Sequence, residues 1–294
     1  MTLLDALKLG RVSNLPTVWT NTLAGMVLAG GSLSGEPLIA LLGAMTLFYV
    51  GGMYLNDAFD AGIDAVERPE RPIPAGRVSR GTIFAAGFAM LGLGVALVAT
   101  VVTDWQADPS ATVSALALCG AIVLYDAWHK SNPLSPVIMG ACRALVYTTA
   151  ALCVAAPPDA PLLGEPLLVG AAILLCYLIG LTYVAKQENI GEVKNMWPLA
   201  FLAAPVIYGA VLAAETGLLV LVPLAAFTAW MLFALSLVRR RGPGDIPRAV
   251  VSLIAGMCLF DAMVVTAMGA PVLALAAAAG FLLTLAFQRW VPGT

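Results

Sequence analysis

Apolar residues along the chain fall in unbroken blocks of about 20, the length an α-helix needs to cross about 30 Å of hydrocarbon. Ten blocks lie at about 16–33, 38–55, 82–103, 110–126, 134–156, 166–185, 197–214, 217–238, 249–268 and 271–288. They are continuous rather than alternating. In lipid only helices and closed barrels satisfy every backbone hydrogen bond, so the pattern predicts helices. The last two blocks are separated only by Gly269 and Ala270, with Pro271 as the break, which leaves nine or ten crossings. Residues 1–10 read as a short interfacial helix with Leu3, Leu4 and Leu7 toward the lipid. Asp5 and Lys8 interrupt its apolar run, unlike a signal peptide.

Composition strengthens this picture. Charged residues make up 11% of the chain and hydrophobic ones 61%, where a soluble domain carries about 25% charged residues. Apart from Arg143, which falls inside the fifth block, every Lys and Arg lies before block one or after an even-numbered block. Odd-end connections such as 34–37, 104–109 and 157–165 have none, which places both termini on the cytoplasmic side. The expectation is an all-α, polytopic transmembrane bundle, a single domain over 1–294. Its membrane is expected to be the cytoplasmic one of a prokaryote. The net charge of −2 argues against a nucleic-acid partner. The five cysteines sit in apolar blocks without a C-x-x-C and read as packing residues. Trp19, Trp128, Trp197 and Trp290 near block ends fit an interfacial belt.

Polar residues gather in three islands after even blocks. If block two continues as helix, Asn56, Asp60 and Asp64 lie at i, i+4 and i+8, one oxygen-bearing stripe with Asp57 beside it. Like charges at this spacing repel in a bare helix, so the stripe makes sense around a cation. Oxygen ligands without His or thiolate favour Mg²⁺ or Ca²⁺. The competing reading is an acidic, solvated loop. Against it, the stripe touches the end of a membrane helix, where carboxylates are costly. A second island after block six carries Lys186, Glu188 and Glu192, the glutamates again at i, i+4; alone they also read as a helix-end charge cluster. Four blocks separate the two islands, which suggests two parallel four-helix halves presenting carboxylates to a central cavity. The third island holds Tyr125, Asp126, His129 and Lys130. Arg143 needs an anionic partner or a watered cavity, so it either pairs with a structural carboxylate or binds an anionic substrate. His129, the only histidine, excludes a multi-His metal site and reads as an interfacial polar residue before a base. Asp261, inside block nine, reads as a structural hydrogen-bonding group.

Residues 56–76 resemble the first aspartate-rich signature of the UbiA superfamily of intramembrane prenyltransferases, N-D-x-x-D-x-x-x-D followed by R-P-x-R-P-[IL]-P-x-G. Every position matches: Asn56, Asp57, Asp60, Asp64, Arg68, Pro69, Arg71, Pro72, Ile73, Pro74 and Gly76. The family's second signature, D-x-x-x-D, is matched with Glu188 and Glu192 in place of both aspartates. Tyr125, His129 and Lys130 are similar to its Y-x-x-x-K-R, with His for Lys. The family fold has nine crossings, so the tenth block is a departure.

The resemblance implies transfer of a prenyl group from a prenyl diphosphate to a lipophilic acceptor, with membrane lipid as surroundings. It implies Mg²⁺ on Asn56, Asp57, Asp60 and Asp64, with a second ion on Glu188 and Glu192, the acidic groups being the catalytic set. It further implies diphosphate contacts from Asn56, Arg68, Lys130, Arg143 and Lys186. A CDP-alcohol phosphotransferase is argued against by the missing D-G-x-x-A-R signature, and a secondary transporter by carboxylates at helix ends rather than mid-membrane. A relative that binds or moves prenyl lipid without catalysis is the remaining alternative, motivated by the Glu-for-Asp changes.

Overall fold

Each of the ten apolar blocks is helical in the computed structural model, which describes residues 1–102, 108–130, 132–154, 161, 163–186, 197–291 and 293. In chain order the helices are α1 (Leu3–Leu9), α2 (Leu15–Leu28), α3 (Gly35–Glu67), α4 (Arg80–Val101), α5 (Ser110–Trp128) and α6 (Ser135–Leu152). After these come α7 (Glu165–Lys186), α8 (Ala204–Thr216), α9 (Leu221–Arg240), α10 (Asp245–Ala267) and α11 (Pro271–Phe287). Tight 3-10 turns at Val12–Asn14, Trp197–Ala203 and Leu218–Val220 lead into α2, α8 and α9. Among the described residues there is no strand, and eight helical segments are long and apolar enough to cross a membrane. The helices of blocks one and ten, α2 and α11, are shorter, at 14 and 17 residues. Block one stops early because Gly30 takes a positive φ of 73° after Leu28, a conformation that ends a helix.

The helices pack around two apolar cores. One joins α2, α3, α4, α5 and α6. The other joins α2, α6, α7, α8, α9, α10 and α11. Helices α2 and α6 belong to both, so they form the seam. Nearly every side chain of α2 is buried, as expected of a helix set inside a bundle, and its polar Thr17, Thr20, Asn21 and Thr22 are each hydrogen-bonded. Close approach of the helices, at the seam and beyond it, depends on small residues. At Gly25 a Cβ would lie 2.5 Å from the backbone oxygen of Tyr147 on α6, and at Gly94 on α4 it would lie 2.6 Å from the Phe48 ring on α3.

Helix α1 caps itself. Thr2 Oγ1 accepts from the Asp5 amide and the Asp5 carboxylate accepts from the Thr2 amide, while Leu3 and Leu4 point outward. Trp128, Trp197 and Trp290 are exposed near helix ends. Trp19 departs from the expected belt: its indole donates to Thr46 Oγ1 at 2.9 Å and packs α2 on α3. All five cysteines are free thiols, buried or half-buried.

The seam is open to test. Gly25→Ala should lower stability by about 1–3 kcal/mol through overpacking against the α6 backbone, read as a lower melting temperature in detergent. Gly92→Ala, whose Cβ meets only open space, should leave the melting temperature unchanged.

Candidate functional site

Helix α3 has 33 residues, about 50 Å at 1.5 Å per residue, so its C-terminal turns stand beyond a 30 Å hydrocarbon layer. Block two therefore does continue as helix through the acidic segment, ending where Pro69 forbids helical geometry at Arg68. Asn56, Asp57, Asp60 and Asp64 are all buried at this end.

Polar and basic side chains from three elements meet them. Arg11, in the turn before α2, donates from Nη2 to Asn56 Oδ1 and Asp57 Oδ1, both at 3.3 Å. Arg71, in the connection after α3, donates from Nη1 to Asp57 Oδ1 at 3.3 Å and Asp64 Oδ2 at 2.7 Å. Burial alone would weaken the hold of Arg71 on its proton. The carboxylates of Asp57 and Asp64 outweigh it and hold the group above the usual guanidinium value. At the end of α5, His129 Nε2 lies 3.5 Å and Lys130 Nζ 3.7 Å from Asp60 Oδ2. Lys130 also reaches Glu67 at 4.0 Å.

The connection between α3 and α4 is folded rather than loose. Amides of Ala75, Gly76 and Arg77 bond back to Arg71, Ile73 and Pro72, and Gly76 supplies the positive φ of 71° that the turn requires. Ile73 packs on a small cluster with Leu9, Tyr54, Ala58 and Ile83. Arg77 pairs with Asp5 of α1 at 3.2 Å, and Arg80 Nε donates to the Ala58 oxygen at 2.7 Å. The proline-rich run thus serves as a braced platform that aims Arg71 at the stripe.

Asn56, Asp60, Asp64, Arg68, Arg71 and Lys130 line a polar cavity of about 220 Å³, with Arg11, Tyr125 and His129. Met53, Tyr125 and Met139 are shared with an adjoining, mostly apolar pocket of about 80 Å³ that runs between α2, α3, α5 and α6. The two form one polar mouth with an apolar continuation. Asp126 sits at the junction. Its Oδ1 accepts from Asn56 Nδ2 at 3.1 Å, while its buried Oδ2 has no hydrogen-bond partner among the described residues.

Other expected site residues lie elsewhere. Arg143 lines the apolar pocket rather than the polar cavity. It donates to Asn21 Oδ1 at 3.0 Å and lies over the Tyr49 ring at 5.8 Å. Asn21 in turn donates to both oxygens of Asp261, which also accepts from Thr20 and Tyr147. Asp261 is thus the structural hydrogen-bonding group expected, tying α2, α6 and α10 together and meeting Arg143 through Asn21. Lys186 Nζ donates to the Asn132 backbone oxygen at 3.3 Å, beside the cavity lining at Ala185. Glu188 and Glu192 lie outside the described residues. Sequence reasoning missed Arg11, Arg71 and Asp126 as site residues. Arg71 stands inside the matched signature, so its signal was present. Arg11 reaches Asn56 across 45 positions, for which no local pattern exists.

The all-oxygen donor set on α3 fits a hard divalent cation. Among the described residues no three acidic, His or Cys side chains already converge on one point. Instead the guanidinium of Arg71 stands between Asp57 and Asp64 as a positive substitute.

Comparison with known proteins now adds to the geometry. The sequence model of the UbiA prenyltransferase family matches residues 18–257. Digeranylgeranylglyceryl phosphate synthase of Methanoregula boonei is 37% identical over 123 residues, 42% of this chain and 42% of that protein, so the chain spans under half of that relative's length. The structure of a UbiA homolog from Aeropyrum pernix K1 superposes with a TM-score of 0.67 at 16% identity, covering 90% of this chain and 99% of that one. A UbiA homolog from Archaeoglobus fulgidus, solved bound to GPP and Mg²⁺, superposes at 0.52 and 15% identity, covering 96% and 98%. These likenesses show the fold. With eight spanning segments among the described residues, the chain is an integral multi-pass membrane protein.

The Asp261 cluster is separable from the acidic cavity. Asp261→Ala, which leaves the buried donors of Thr20, Asn21 and Tyr147 without their acceptor, should lose about 3 kcal/mol. The loss should appear as a lower melting temperature in detergent.

Proposed function

The chain belongs to the UbiA prenyltransferase family, and from that premise we propose that it transfers a prenyl group from a prenyl diphosphate to a lipophilic acceptor within the membrane, with Mg²⁺ as cofactor. The observation that carries this reading is the buried stripe of Asn56, Asp57, Asp60 and Asp64, of which Asn56, Asp60 and Asp64 line a cavity ringed by Arg11, Arg68, Arg71 and Lys130 that continues into an apolar pocket.

Diphosphate is a poor leaving group until its charge is neutralised. Mg²⁺ held by the carboxylates would supply Lewis-acid neutralisation of the diphosphate charge. Asn56, Asp57, Asp60 and Asp64 are its proposed ligands, with Glu188 and Glu192 as a second acidic pair. Arg68 and Lys130 face the same space and stabilise the departing charge. Lys186, at the end of α7 next to the lining residue Ala185, is proposed to join them from the second island. The apolar pocket keeps water from the allylic carbon and holds the start of the isoprenoid chain. Arg143, deep in that pocket, is proposed to meet a polar group of a substrate there.

The whole chain, 1–294, is proposed to work as one domain. It sits in the cytoplasmic membrane of a prokaryote with the acidic cavity toward the cytoplasm, in keeping with the placement of Lys and Arg after even-numbered blocks. The acceptor to try first is geranylgeranylglyceryl phosphate, because the Methanoregula boonei relative is named for a product of that kind.

The test is product formation from radiolabelled geranylgeranyl diphosphate by the purified protein in lipid nanodiscs. Asp60→Ala should cut turnover by about a hundredfold or more while the protein stays folded; full activity in that variant would contradict the assignment. Glu188→Gln should lower turnover and raise the Mg²⁺ concentration needed. If it alters neither, the second island is a structural charge cluster.

A further inference from the structure

The two guanidiniums at the stripe share one acceptor. Arg11 Nη2 and Arg71 Nη1 both lie 3.3 Å from Asp57 Oδ1, and each holds a further stripe oxygen, of Asn56 and Asp64 respectively. Together they carry the charge of one divalent cation and occupy the oxygens that such a cation needs. Asp60 is compensated separately by Lys130, with His129 Nε2 beside it. Metal-free, the stripe is therefore already neutralised. A divalent cation arriving alone must displace a guanidinium from the carboxylates that hold it. A diphosphate changes this balance, because its oxygens accept from guanidinium in the bidentate manner that carboxylates do.

A second observation points the same way. Arg11 has φ 42° and ψ 46°, a left-handed backbone that a residue with a Cβ adopts only at a cost. Its carbonyl accepts from the Tyr49 hydroxyl at 3.2 Å, which fixes the turn. Strain of this kind persists where the surroundings enforce it, and it clusters at ligand-binding sites. Here it aims the Arg11 side chain across the start of α2 onto α3. Arg71 is aimed by the braced connection after α3, so exchange of partners needs side-chain movement alone.

We propose that Arg11 and Arg71 are exchangeable counter-ions: they hold the acidic stripe when it is empty and pass to the diphosphate when substrate binds, so that the divalent metal enters together with the diphosphate and not before it. This rests on the prenyl diphosphate reading of the cavity.

The experiment titrates Mn²⁺ into the full-length protein in detergent, first alone and then with geranylgeranyl diphosphate, following metal binding by electron paramagnetic resonance. Wild-type protein should bind Mn²⁺ alone at least about tenfold more weakly than with the diphosphate present. Arg71→Gln, and separately Arg11→Gln, should bind Mn²⁺ alone about tenfold or more tightly than wild type, since a cation beside the carboxylates is gone. The same variants should bind geranylgeranyl diphosphate more weakly. Arg71→Lys, which keeps the charge, should stay near wild type for metal alone. A merely loosened site would weaken both ligands together. That result, an unchanged Mn²⁺ affinity in both Gln variants, or tight Mn²⁺ binding by wild type alone would overturn the proposal. A gain in Mn²⁺ binding in the Gln variants, with no diphosphate binding by any protein, would leave the metal competition standing and remove the prenyl diphosphate reading instead.

Discussion

Asp57, Asp60 and Asp64 place three carboxylates within about two turns of one helix, at the boundary of a hydrocarbon layer that cannot solvate them. Most of the architecture on that face answers this charge. The left-handed turn before α2 delivers Arg11, the proline-rich connection after α3 delivers Arg71, and the end of α5 delivers His129 and Lys130. The connection is braced in turn by Arg77 on Asp5 of α1, so even the interfacial helix supports the stripe. Without cations the carboxylates would have to be protonated or the helix end would have to unwind. With them, the site keeps its oxygens in place for a ligand that brings its own charge.

The second polar cluster obeys the same rule with a different outcome. Asp261 is fully buried, and its oxygens are met by Thr20, Asn21 and Tyr147, with Arg143 one residue further on. This cluster ties the seam helices α2 and α6 to α10, where both apolar cores meet. A rigid seam matters because the apolar pocket lies against it, with Val18 of α2 and Val146 of α6 in its wall. The polar mouth and the apolar continuation are therefore set by two ion networks on opposite sides of Tyr125, Met53 and Met139.

Much of this was legible from residues alone. A run of about 20 apolar residues in lipid has no option but helix, and each of the ten blocks became one. The stripe was legible because helical spacing is local: once block two continued, Asn56, Asp60 and Asp64 had to share a face. Where the reading fell short, the cause was either backbone chemistry or distance. Block one ends at Leu28 because of Gly30, and block seven opens as a 3-10 turn over Trp197–Ala203 before α8. The contacts of Arg11 with Asn56 and of Asn56 with Asp126 join residues far apart in sequence, and no spacing announces them. Arg143 was placed correctly inside a span, but its partner could not be chosen between substrate and structure; the geometry gives it Asn21 and, through it, Asp261. Glu188 and Glu192 lie outside the described residues, so their part in the cavity stands as an expectation from sequence.

The central claim is that the acidic stripe of α3, charged with a divalent metal, is a prenyl diphosphate site. Equilibrium binding of tritiated geranylgeranyl diphosphate to the wild-type protein in nanodiscs, with Mg²⁺ or with EDTA, tests it most directly. The account predicts saturable binding with Mg²⁺ that EDTA abolishes and fresh Mg²⁺ restores. Binding that is absent under both conditions, or equal in both, would contradict it.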